Sequence, residues 1–257
     1  NWAKDFVRGD MGTSLKYNRP VAEVVAEKFG NSFALMCVAW VLSGILGLVL
    51  GIVAGYFKDR LPDRLIRGYA LLLASTPAFW IGLLLLMIFA VWLGWLPFGM
   101  NLPAGMTAAE AGIGVRIRHL LLPALTLGLT GVANITLHTR EKMIAIMESD
   151  YVLFARARGE SSGYIVKRHA LRNLVLPAIT LQFGSISEIF GGSVLVEQVF
   201  SYPGLGQAAI DAGLGSDVSL LLAITVISTL FVFLGNLVAN VLYGVIDPQI
   251  RRGRSHG

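Results

Sequence analysis

Five long apolar runs alternate with shorter polar stretches along this chain: residues 32–56, 69–96, 120–137, 174–200 and 218–246. None shows the period-two alternation of a strand with one wet face, and each is long enough to be read as a membrane span. A span needs about 20 helical residues to cross a hydrocarbon core of roughly 30 Å, and lipid offers no partners to the backbone. The pattern therefore predicts helices and an all-α fold, a polytopic transmembrane helical bundle with five spans. Pro77, Pro123 and Pro177 are expected to kink or start their helices. Gly47, Gly51 and Gly55 recur every four positions, on one helix face, where a neighbouring backbone can approach closely.

Composition supports the same class. The 257 residues are 55% hydrophobic and 14% charged, with a mean hydropathy of +0.67. The net charge of +5 does not indicate a nucleic-acid partner, because the basic residues sit in short loops beside apolar runs, where they orient a chain in a membrane. Residues 1–31, 97–119 and 201–217 carry seven Lys and Arg; residues 57–68, 138–173 and 247–257 carry fourteen. The second set is assigned to the cytoplasm. This gives an extracytoplasmic segment 1–31, a transmembrane region 32–246 with a cytoplasmic hairpin 149–172, and a cytoplasmic tail 247–257. The exterior start at Asn1 leads to the expectation of a further span upstream. The single Cys37 lies in an apolar run and offers neither a disulfide framework nor a metal cluster.

The hairpin is the most patterned polar stretch. Tyr151, Phe154, Ala155 and Arg158 fall at helical spacing, Gly159 is placed to end that helix, and Ser161 or Ser162 can cap the next. Two short helices around a glycine corner make a knob suited to another protein's groove.

Inside the spans, ionisable groups are costly and so mark candidate function. Glu188 lies roughly 16 Å past Pro177 at 1.5 Å per residue, near mid-membrane, and is expected to face the bundle interior with Gln182 and Ser185. Packing between helices is the other reading of Glu188. Glu197 falls at the outer boundary, as a structural anchor or an outer gate. Asn134, Asn236 and Asn240 read as interhelical hydrogen-bonding groups. No G-x-x-x-x-G-K-[ST] loop occurs, so ATP would have to be handled by another chain. His119, His138, His169 and His256 are scattered, and no metal site is expected.

Four stretches carry a resemblance. Ala155-Arg156-Ala157-Arg158-Gly159, followed by His169-Ala170-Leu171-Arg172-Asn173 and Leu176-Pro177, is similar to the cytoplasmic EAA loop of ABC importer permeases, in the dipeptide/oligopeptide/nickel branch. Gly9-Asp10-Met11-Gly12-Thr13-Ser14 with Pro20-Val21, the run Glu197-Gln198-Val199-Phe200-Ser201-Tyr202-Pro203-Gly204-Leu205-Gly206, and the ending Asp247-Pro248-Gln249-Ile250-Arg251 fit the same branch. Leu153-Phe154 stands where the broad motif has Glu-Ala, and Gly215-Ser216-Asp217-Val218 departs from many relatives.

The resemblance implies an ABC type I importer permease fold in a prokaryotic plasma (inner) membrane, and a non-catalytic subunit importing peptides, nickel or metal chelates. It implies a second, related permease chain, forming a heterodimer, and two ATPase subunits that bind ATP and Mg, this chain holding no cofactor. An extracytoplasmic solute-binding protein completes the set. It further implies that Ala155, Arg156, Ala157, Arg158, Gly159 and Glu160 form the ATPase-coupling helix, and that Asp10, Ser14, Tyr202, Gly204 and Asp211 receive the binding protein. An ion-gradient transporter or channel would call for denser intramembrane charge or inverted repeats. A membrane scaffold would need no pathway.

Overall fold

The computed structural model describes residues 6, 9–103, 105–106 and 110–246. The ending 247–251, the tail 247–257 with His256, and residues 1–5 and 7–8 of the amino-terminal segment lie outside the described residues. Among the described residues ten named α-helices follow one another: α1 Val21–Tyr56, α2 Leu61–Ser75, α3 Ala78–Leu85, α4 Ile113–Met147, α5 Asp150–Ala157, α6 Ser162–Ile165, α7 Leu171–Gly184, α8 Ile186–Val199, α9 Leu205–Leu214 and α10 Val218–Ile246. Wider π-helical turns, Leu86–Trp92 and Val166–Ala170, continue α3 and lead into α7. The described residues contain no named strand, only one isolated bridge between Thr13 and Pro20.

Among the described residues three helices, α1, α4 and α10, are long and apolar enough to cross a membrane alone; counting each of two bent pairs as one span gives five. The bends have local causes. Thr76 precedes Pro77 and takes an extended conformation, φ −99° and ψ 127°, because the proline ring disfavours helix at that position. The pair α2 and α3 turns there by 108°. The second bend, 51°, falls at Ser185 and not at Pro177, which stays inside α7. Pro123 likewise stays inside α4.

The helices outrun the apolar runs. α1 begins eleven residues before 32, because Val21, Val24 and Val25 repeat at helical spacing beneath polar neighbours and are buried. α2 begins at Leu61, with Pro62 and Asp63 in its first turn, where a missing N–H and a negative charge are both favourable. The stretch 201–217, which the apolar pattern leaves between two runs, is mostly the helix α9.

The chain divides into two compact units. The first gathers residues up to Ala39, Ala78–Leu127 and Glu188–Leu234; the second gathers Trp40–Pro77, Gly128–Ser187 and the residues from Gly235. Among the described residues, the first contains those of 1–31, 97–119 and 201–217, and the second those of 57–68 and 138–173. The core of the first unit joins Val21, Val24 and Val25 of α1 to Leu205, Ala208 and Ala212 of α9 and Leu220, Ala223 and Ile224 of α10. In the second unit the glycine stripe works as expected. A β-carbon at Gly47 would stand 2.7 Å from Ile135 Cβ, one at Gly51 2.5 Å from Thr139 Cβ, and one at Gly55 2.5 Å from Met143 Cβ. The stripe thus lets α1 lie against α4 with no side chain between.

Candidate functional site

The hairpin 149–172 is built almost entirely by local rules. Ser149 is extended before α5, Asp150 sits in the first turn and Arg156 in the last, each on the favourable side of the helix dipole. Arg158 closes α5, and Gly159 takes φ +83°, a left-handed value that other residues adopt at a cost. The Gly159 N–H donates to Arg156 O at 2.9 Å and the Glu160 N–H to Ala155 O at 3.1 Å. These two bonds are the Schellman ending of a helix. Ser161, not Ser162, then caps α6, its Oγ accepting the Tyr164 N–H. Val152, Ala155 and Ile165 are buried beneath the corner against Ile146 and Met147.

What remains outside is apolar as well as basic. Phe154 is 72% exposed, Leu153 53% and Tyr164 46%. Arg156, Ala157, Arg158 and Gly159 are exposed, whereas Ala155 faces inward and Glu160 is half-buried. Glu160 accepts from Arg158 Nη2 at 2.6 Å and lies 3.1 Å from His169 Nε2. The hydrogen bond with His169, then that with Arg158, hold its carboxyl below the usual carboxylate range.

The amino-terminal segment and the stretch 201–217, both in the first unit, are tied by two buried carboxylates. Glu197, near the end of α8, accepts from Ser32 Oγ at 2.6 Å, from the Gly206 N–H at 2.7 Å and from the Gln207 N–H at 3.2 Å. Ser32 Oγ in turn accepts the Leu205 N–H at 2.7 Å. The first three amides of α9, which no helix bonds internally, are thereby satisfied by side chains from α1 and α8. A β-carbon at Gly204 would run into the Glu197 carboxylate, and one at Gly206 would stand 2.7 Å from Val194 Cα. The Gly-x-Gly spacing is therefore the space the carboxylate needs. Of the two readings of Glu197, the buried anchor is the one its hydrogen bonds support.

Asp217 makes the second tie. It accepts from Ser14 Oγ at 2.6 Å, from the Lys16 N–H at 3.1 Å and from the Leu220 N–H at 3.2 Å, so it caps α10 and fastens the amino-terminal segment. Burial raises its pKa, but the hydrogen bonds from Ser14 and from the Lys16, Leu220 and Leu15 amides outweigh burial and leave it low. Its own N–H donates to Ala212 O at 2.8 Å, closing α9 with Ser216 left-handed at φ +54°. Sequence reasoning named Asp217 without its capping role, although an Asp directly before an apolar run is the usual mark of a helix start.

These ties set the expected docking residues at different depths. Ser14, Tyr202 and Gly204 are buried, so their side chains shape the outer face and are not open to a partner's touch. Asp10 is exposed and accepts the Gly12 N–H; Asp211 is half-buried and accepts from Tyr17 Oη at 3.4 Å. The Tyr202 phenol is pushed up to about 12 by burial, then by the Glu197 charge.

Of the three pathway candidates, two come together. Gln182 is buried and donates through Nε2 to Trp40 O at 2.5 Å and Ser43 Oγ at 3.1 Å, while Trp40 Nε1 donates to Gln182 O at 2.7 Å. Ser185 Oγ donates to the same Gln182 O at 2.8 Å. Glu188 lies past the Ser185 break, exposed in the first turn of α8, where the helix dipole favours a negative charge. Its spacing of six and three from the other two assumed a straight helix, which the 51° bend interrupts.

Sequence reasoning also missed a buried pair. Asp63 accepts from Arg140 Nε at 2.5 Å and Nη2 at 2.7 Å, and from the Asp59 N–H at 2.8 Å. A bidentate contact of this kind fixes α2 on α4.

With this geometry established, comparison with known proteins is informative. Residues 47–252 match the family described as "Binding-protein-dependent transport system inner membrane component". The chain is 36% identical over 253 residues to the oligopeptide transport system permease protein AppB of Bacillus subtilis (strain 168), covering 97% of this chain and 78% of the relative. It is 36% identical over 251 residues to the glutathione transport system permease protein GsiC of Escherichia coli (strain K12), covering 98% and 78%. Among solved structures it is similar to inward-facing conformations of the MetNI methionine ABC transporter, with a TM-score of 0.62 and 14% identity over 86% of this chain and 96% of that one. At that identity the likeness concerns the fold.

Proposed function

The chain belongs to the family of binding-protein-dependent transport system inner membrane components, and from that premise we propose that it pairs with a second permease chain to enclose a pathway for short peptides. It is a permease subunit of an ATP-driven importer, a transport component without catalysis of its own. Two ATPase subunits bind ATP and Mg and dock on the hairpin 149–172; a solute-binding protein delivers cargo to the outer face. Peptidic cargo, with glutathione as one form, is favoured over nickel or a metal chelate because the similar permeases are named for oligopeptide and glutathione transport.

The observation that carries this reading is the exposed apolar rim of the hairpin. Leu153, Phe154 and Tyr164 project from a corner whose inner face is already filled by Val152, Ala155 and Ile165. Large apolar side chains exposed on a compact knob are a recognition surface. Residues Arg156, Ala157, Arg158 and Gly159 then complete the contact, and Ala155 supports it from below. Gln182, Ser185 and Glu188 are the residues proposed to bear on the pathway. Asp10 and Asp211, on the face held by Ser14, Tyr202 and Gly204, are proposed to meet the binding protein.

Phe154→Asp tests the docking. The variant should insert and fold as wild type, since the side chain is exposed, yet lose the ATPase subunit in co-purification. An ATPase retained at wild-type yield would end the proposal.

A further inference from the structure

A second feature of the hairpin is separate from the apolar rim. Tyr151 of α5, Arg168 and His169 of the π-helical turn, and Arg172 and Asn173 of α7 line an open cavity of about 530 Å³. No carboxylate lines it. Arg168 and Arg172 stand one helical turn apart, a like-charge spacing that is unfavourable by itself. Neither has an ion pair among the described residues; Glu160, a near acidic neighbour in the chain, is engaged by Arg158 and His169. Arg168 is held over the Tyr164 ring at 5.7 Å, which fixes the guanidinium without neutralising it. The Asn173 amide donates to Tyr151 Oη at 3.2 Å, so the phenolic proton is free to donate into the cavity.

The site is thus a set of convergent donors, two of them forked guanidinium groups suited to phosphate oxygens. Immediately along the same helix, Val175, Leu176 and Ile179 are exposed apolar side chains. Residues 172, 176 and 179 follow one face at spacings of four and three. A cationic pocket continued by an apolar strip, on the side with the larger basic count, matches the two ends of one ligand.

We propose that Tyr151, Arg168, Arg172 and Asn173 bind a phosphate oxyanion, held as the headgroup of an acidic phospholipid whose acyl chain runs along Val175, Leu176 and Ile179. The lipid would brace the base of the hairpin where it enters the membrane.

The test uses the purified full chain in neutral detergent, with phosphatidylglycerol as probe and phosphatidylcholine as reference, read by native mass spectrometry. Wild type should retain one phosphatidylglycerol in preference to phosphatidylcholine. The double variant R168Q/R172Q should retain it at least about tenfold more weakly, the scale of losing charge-assisted contacts. Both arginines are exposed, so an unchanged melting temperature will show that the variant is folded. In a second arm, millimolar inorganic phosphate is added. Lipid retained in its presence identifies the headgroup as the ligand. Displacement by phosphate that binds wild type and not the variant keeps the oxyanion pocket and makes free phosphate its ligand. Equal lipid retention by wild type and variant overturns the site. Equal retention together with loss of a co-purifying ATPase from the variant also overturns it, and makes the arginines a protein contact.

Discussion

The joined ends of α8, α9 and α10 and the hairpin 149–172 face one problem, the unbonded backbone groups at helix ends, and meet it by opposite means. The joined ends use side chains from far along the chain: Glu197 and Ser32 for α9, Asp217 with Ser14 for α10. The hairpin uses its own backbone, with Gly159 and Glu160 bonding back to Arg156 and Ala155, and a serine three residues from the amide it caps. The first arrangement buries its polar atoms and fixes a surface. The second leaves the outward side chains unoccupied, so Leu153 and Phe154 stay exposed. A region tied into one surface and one that stands out as a knob thus differ in where their hydrogen bonds come from.

The comparison breaks most directly at Glu197. Glu197→Ala leaves the Ser32 hydroxyl and two α9 amides without partners in a buried place, at about 1–3 kcal/mol each, so a loss of roughly 3 kcal/mol or more is expected. Thermal unfolding should show the loss, and hydrogen exchange should place it in α9 while the hairpin amides keep their protection. Protected α9 amides in that variant would mean that Glu197 does not hold the helix.

A smaller effect is expected at the hairpin corner. Nothing lies within 4 Å of a β-carbon added at Gly159, so Gly159→Ala tests conformation alone. The left-handed residue should cost about 1–2 kcal/mol, confined to residues 149–172 in hydrogen exchange and without effect on α9. Faster exchange in α9 would join the two regions and remove the contrast.

A third effect, absent near neutral pH, separates the regions by pH. Tyr202 is raised from 10.0 to about 12, so its neutral form is favoured in the fold. Its contribution is complete below pH 10 and disappears as pH rises toward 12. Glu160 in the hairpin is lowered, so its contribution is present above the ordinary carboxylate value and is lost as pH falls below it. Tyr202→Phe should therefore flatten the alkaline limb of the stability profile and leave the acid limb alone. An alkaline limb identical to wild type would show that Tyr202 is not its source.

The sequence by itself determined what depends on near neighbours and on the solvent. Apolar runs in lipid can only be helices, so the all-α class follows from hydropathy; Thr76-Pro77 forces its bend through a local clash; and Gly159 sets the hairpin corner because a left-handed position favours glycine. The glycine stripe 47, 51 and 55 announced a close approach, though not that α4 supplies it. Tertiary structure alone decided the ties between distant residues: Asp63 with Arg140 across 77 positions, Ser32 with Glu197 across 165, Ser14 with Asp217 across 203. It also turned much of the stretch 201–217 into α9, since Gly204 and Gly206 leave room for the Glu197 carboxylate that holds its first amides. A buried carboxylate takes its place from whichever donors the fold brings to it, and a single sequence fixes the spacing of neighbours but not the meeting of segments far apart.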